Sequence, residues 1–170
     1  MRIHLRTIMA AALAVAGCSD APDISSPLAA HLGAGVVASA TGSAHTQTGG
    51  ELRVTVFSAN QLADGSVSGE FTVNILAIDA RWRTTVECLT VVGNRAFIGG
   101  TIVDTDHPVI RVGTKSYFWV DDSGPGSNQP DRVSLAGVNE TQEGMDDFCG
   151  LIQNLLPGRD VVEGSVRVSG

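Results

Sequence analysis

The densest collection of oxygen ligands lies in Asp121-Asp122-Ser123-Gly124-Pro125-Gly126-Ser127-Asn128-Gln129-Pro130-Asp131. Three carboxylates, hydroxyls and amides on a Gly/Pro frame are the oxygen donors that calcium takes. Asp121, Asp122 and Asp131 are therefore candidate calcium ligands. The spacing is not that of the helix-flanked calcium loop, and no bidentate Glu closes it. The same residue types build an ordinary long turn. There, Asp121 or Asp122 accepts loop N–H groups while Asp131 pairs with Arg132 or caps a turn. Asp104-Thr105-Asp106-His107 also holds ligand types, but no third ligand is evident and a hairpin tip is the simpler account.

Cysteine gives a second set. Arg2 and Arg6 precede the Ala-rich run Thr7 to Ala16, which ends at Val15-Ala16-Gly17-Cys18. A basic start, a short apolar stretch and small residues describe an export signal. The ending resembles the lipobox of bacterial lipoproteins, which implies acylation of the Cys18 thiol and cleavage before it. Several acyl chains would anchor stably, at roughly 0.8 kcal/mol per buried methylene. Ser19 rather than Asp follows the Cys, which by that resemblance favours the outer membrane. Cys88 and Cys149 then remain as an even pair in an oxidising compartment, where a disulfide is expected. Two buried free thiols are the alternative, and a metal site lacks further Cys or His partners nearby.

No catalytic constellation emerges. There is no Gly-x-Ser-x-Gly elbow and no phosphate-cradling glycine loop. His45 and His107 lie among small or turn residues of the β body, and His31 lies in the tether. Glu51, Glu70, Glu87 and Glu163 alternate with apolar neighbours as solvent-facing strand positions do. The chain has 170 residues and a net charge of −7. Without Arg2 and Arg6, 9 basic and 18 acidic residues remain, with Lys115 the single lysine. Nothing there neutralises a phosphate backbone, so no nucleic acid partner is expected. No apolar run reaches the roughly 18 residues of a spanning helix.

Three segments follow: a signal peptide with its helix at 1–17, a flexible tether at 18–35, and an antiparallel β domain at 36–170. The tether is read from Pro22, Pro27 and scattered Ser, Ala and Gly. From Val36 the pattern has period two, the mark of half-buried strands. Strands are expected at 36–46, 51–58, 67–78, 81–92, 95–103, 109–120, 132–138 and 161–168. In the second, Leu52, Val54 and Val56 share one face. In the third, Phe71, Val73 and Ile75 point inward. In the fourth, Trp82, Thr84, Val86 and Cys88 share a face. Gly99-Gly100 marks a bulge or bend. Tyr117-Phe118-Trp119 reads as core on both faces of one strand. One short helix is expected at 146–156, capped by Asp146 or Asp147, with Phe148, Ile152 and Leu155 on one side. The fold class is mainly β: about eight antiparallel strands in a single barrel or sandwich, the last strand beside an early one.

Several stretches resemble a known family. They are Gly49-Gly50-Glu51-Leu52-Arg53, Ala63 to Gly69, Cys88 to Gly100, Phe118 to Asp122, and Pro130 to Ser134. Together they are similar to the post-choice-of-anchor domain, a family of small bacterial secreted and lipoprotein β domains, over residues 39–168. Phe148-Cys149 falls where such sequences carry a second Cys, which supports the bridge. The loop reads Asp121-Asp122-Ser123-Gly124 where the family has Asp-Asn-Gly-Glu. The resemblance implies a compact envelope domain and no catalytic residue. The expectation is a membrane-anchored, non-enzymatic module without cofactor, unless the loop binds calcium. Its role is accessory, adhesive or ligand-binding, with a protein or glycan partner. A secreted hydrolase with a carboxylate site and a lipid or small-ligand carrier are the alternatives.

Overall fold

The computed structural model describes residues 35–150 and 156–170. The signal segment, Cys18 and nearly all of the tether lie outside the described residues, as do Ile152 and Leu155. The described chain is mainly β, with ten strands and one helix. The strands are β1 (Val36–Thr48), β2 (Glu51–Leu62), β3 (Val67–Ile75), β4 (Ala80–Val92), β5 (Arg95–Thr105), β6 (Lys115–Asp121), β7 (Arg132–Ser134), β8 (Gly137–Glu140), β9 (Gly158–Asp160) and β10 (Glu163–Ser169). The helix α1 spans Gln142–Gly150. The strands form one antiparallel sheet in the order β10-β1-β2-β3-β4-β5-β6-β7-β9, and β8 pairs with β6. As expected, the last strand lies beside an early one, Ala40 opposite Val168.

The single sheet curls around its own concave face, in a half-barrel or sandwich-like arrangement. Ala40, Ala44 and Ala59 have no exposed surface, and Gly42 on β1 leaves room for Phe57, since a Cβ there would stand 2.8 Å from the Phe57 ring. The Phe118 ring sits edge-on between Phe57 and Phe71, with centroids 5.5 and 4.8 Å away. Ile98, Ile102 and Val120 complete the fully buried layer. Burying a side chain of this size contributes about 1.5–3 kcal/mol, so this interior is the main source of stability. Trp82 is buried with its indole N–H donating to Ser116 Oγ at 3.3 Å.

A second, smaller apolar cluster lies on the convex face. Tyr117 and Trp119 point there while Phe118 points inward, so the aromatic run does serve both faces of β6. Helix α1 covers this cluster with Met145, Phe148 and Cys149, at i, i+3 and i+4. Phe148 stacks on Tyr117 with centroids 4.3 Å apart.

Four sequence expectations need correction. Cys88 does not share a face with Trp82 and Val86. The β4–β5 register shifts between Val86 and Cys88, so Leu89 enters the main core and Cys88 turns to the convex cluster. One extra residue inverts every position beyond it. In β2, Leu52, Val54 and Val56 do share a face, but it is the outer one: Thr55, Phe57 and Ala59 face the core, and Val56 is 47% exposed. One large aromatic ring and a tight alanine contact outweigh the three aliphatic positions. The strand expected at 109–120 begins only at Lys115, because residues 107–114 are held in turns closed by Ile110 N–H to His107 O at 3.3 Å and Thr114 N–H to Arg111 O at 3.4 Å. The helix begins four residues before the expected start. Its cap is Thr141, whose Oγ1 accepts the Gly144 N–H at 3.1 Å.

Candidate functional site

The loop 121–131 joins β6 to β7, and its three aspartates do three different things. Asp121 ends β6 and makes a two-point ion pair with Arg95, the Nη2–Oδ2 arm at 2.7 Å. That bond, more than partial burial opposes it, raises the Arg95 pKa above its ordinary value. The Arg95 guanidinium lies over the Trp119 ring, 4.2 Å from its centroid. Asp121 therefore belongs to the packing of the convex cluster.

Asp122 and Asp131 work at the free edge of β10. Asp122 Oδ2 accepts the Val168 N–H at 3.0 Å, and Asp131 Oδ2 accepts the Val166 N–H at 2.9 Å. Their other oxygens hold the loop itself: Asp122 Oδ1 accepts Gly124 N–H at 2.7 Å, and Asp131 Oδ1 accepts Ser123 N–H at 2.9 Å. Two carboxylates thus replace a strand ladder along this seam. Unpaired strand edges invite pairing with another chain, and backbone N–H groups buried without a partner are costly. The loop removes both problems with side chains. The three aspartates are not gathered around one point. Among the described residues no group of three or more His, Cys, Asp or Glu side chains is placed to hold a metal ion.

A groove of about 740 Å³ opens along this seam, lined by Ser39, Thr41, Asp122, Pro125, Asp131 and the β10 residues 165–169. Its floor is the outward face of β1 and β10. There Ser39 lies opposite Ser169 and Thr41 opposite Arg167. Loop 121–131 is its wall. The sequence showed the loop's residue types but not that they would meet β10, because that contact joins segments about thirty-five to forty-six positions apart.

The other candidates fall elsewhere. Asp104 and Asp106 share the Arg81 guanidinium at 3.2 and 3.6 Å. His107 sits beside them with its ring edge-on to Trp82, centroids 6.5 Å apart. His45 on β1 pairs with Glu163 at 3.4 Å. Cys88 and Cys149 form a disulfide that ties β4 to α1. Thr90 Oγ1 donates to the Cys149 carbonyl at 2.7 Å beside it. Sequence reasoning missed one cluster. Lys115 Nζ donates to Glu87 Oε2 at 2.5 Å and to Thr101 Oγ1 at 2.6 Å, with the lysine side chain only 15% exposed. The bulge that turns Cys88 outward also sets Glu87 over β5. The solitary lysine was the available signal.

Searches against protein-family models, curated proteins and solved structures returned no match for this chain.

Proposed function

We propose that this chain is an exported lipoprotein of the bacterial cell envelope, anchored through acylated Cys18, whose β domain is a non-enzymatic ligand-binding module. The observation that carries the reading is the Cys88–Cys149 bridge. Disulfides persist where thiols are kept oxidised, outside the cytosol. An export signal ending in a lipobox-like Val15-Ala16-Gly17-Cys18 leads to that same compartment. The resemblance to the post-choice-of-anchor domain agrees with it, and membership of that family is part of the proposal. Outer-membrane placement rests on Ser19 after the Cys.

Within the module, the seam groove is the favoured binding face. A carrier with an apolar interior gains no support, since Phe57, Phe71 and Phe118 fill the concave side. No observation favours the hydrolase alternative.

Cell fractionation tests the anchor. The unaltered chain is expected in the membrane fraction, released by detergent but not by salt. Cys18→Ser is expected to lose the membrane or to accumulate with its signal uncut. A variant that fractionates unchanged, with normal processing, would sink the reading.

A further inference from the structure

We infer that the seam groove is a binding site for a neutral, hydroxyl-rich glycan, an inference that rests on the binding-module reading above. The argument begins with the free edge of β10. An extended peptide adds to an edge strand by taking both its N–H and its C=O groups. Here the outward N–H groups of Val166 and Val168 are already held by Asp131 and Asp122. Strand addition would have to break both bonds.

What the groove still offers is mostly acceptors. A residue in a strand turns its N–H and C=O to the same side, so the Val166 and Val168 carbonyls face the seam. Each of the four Asp122 and Asp131 oxygens accepts one bond and retains a second lone pair. Ser39, Thr41, Ser165 and Ser169 line the floor and act as donor or acceptor, while Arg167 supplies fixed donors. A ligand matching this set must bring many donors and some acceptors without a charge of its own. Because Asp122, Asp131 and Arg167 all line the groove, a strong anion and a strong cation each meet a like charge there. Sugar hydroxyls meet the requirement, each being both donor and acceptor. The groove volume of about 740 Å³ lies within the range of small-molecule sites.

The site can be blocked without touching the bonds that hold the seam. Thr41 is exposed on the floor, and Thr41→Trp would fill the groove from below. Arg167→Ala removes the fixed donors. The full chain in detergent would be applied to a printed array of chito-, malto-, xylo- and manno-oligosaccharides, beside an array of extended peptides. Retention on at least one glycan series is expected. Thr41→Trp and Arg167→Ala should each weaken it by about tenfold or more, near 1.4 kcal/mol, with thermal midpoints unchanged. Three results would overturn the inference. They are no glycan retained, retention indifferent to both variants, or retention of peptides that the Thr41 variant abolishes. If Thr41→Trp lowers the thermal midpoint, Arg167→Ala alone decides. None of these outcomes bears on membrane fractionation, so the envelope reading stands or falls separately.

Discussion

Glu87 illustrates how one carboxylate on the convex face depends on its partners. Burial pushes its pKa up, but hydrogen bonds from Lys115 and Thr101, with the lysine charge, outweigh that and hold it below 4.5. A group whose folded pKa is depressed contributes stability at pH above its unfolded value. That contribution is lost as pH falls through the ordinary glutamate range towards the folded value. Glu87→Gln should therefore lower stability at neutral pH and leave it little changed well below pH 4.5. Glu87 is 38% exposed, so the loss should stay within the ~0–1 kcal/mol of a partly solvated pair. Denaturant midpoints measured for both proteins across the acid range would reveal it. Equal curves at every pH would mean that the pair contributes nothing. Tyr117, in the same region, is shifted upward by burial and secondarily by the charge of Glu140.

Helix α1 holds its place through three connections: the Thr141 cap, the Phe148–Tyr117 stack and the disulfide. Gly99 makes this docking possible. A Cβ there would stand 2.8 Å from both Cys88 Sγ and Met145 Cγ. On the neighbouring residue, a Gly100 Cβ would run into the Thr85 carbonyl across the β4 bulge. The glycine pair was legible in the sequence as an irregularity, but the extra residue sits on the facing strand. Alternation located the strands well where each buries a single face, as in β3. It failed in β2 and in the second half of β4, where a ring contact or an inserted residue overrides local periodicity. The site was less legible than the fold. Loop composition identified Asp122 and Asp131, but their partners on β10 follow from the curl of the whole sheet. The bridge closes a span of 61 residues, worth on the order of 4 kcal/mol in the chain-entropy account. Replacing both Cys88 and Cys149 by alanine should cost about 2–4 kcal/mol in denaturant unfolding and leave the β-sheet circular dichroism intact. Reduction of the unaltered chain should have a similar effect. Full stability under reducing conditions would mean that α1 is held by its apolar contacts alone.

At the scale of the molecule, the sheet has strong and weak boundaries. Neighbours from β10 through β1 to β6 are joined by ladders of six to twelve residue pairs, bulged in places between β4 and β5 and at the start of β1. Across the seam, β10 meets the other end of the sheet through the Val166 and Val168 N–H bonds to two aspartate side chains. Opening a ladder breaks many bonds and uncovers the phenylalanine cluster. Opening the seam breaks a few, at the margin of the core, so it should occur locally and more often. Amide hydrogen exchange followed by mass spectrometry separates the two. Peptides covering Val166 and Val168 should exchange well before those of β3 to β5. Asp122→Ala and Asp131→Ala together should speed them further, with little effect around Phe71 and Ile98. If β10 instead exchanges only with global unfolding, the seam is as firm as a ladder. The groove would then be a rigid surface rather than a margin that can widen around what it binds.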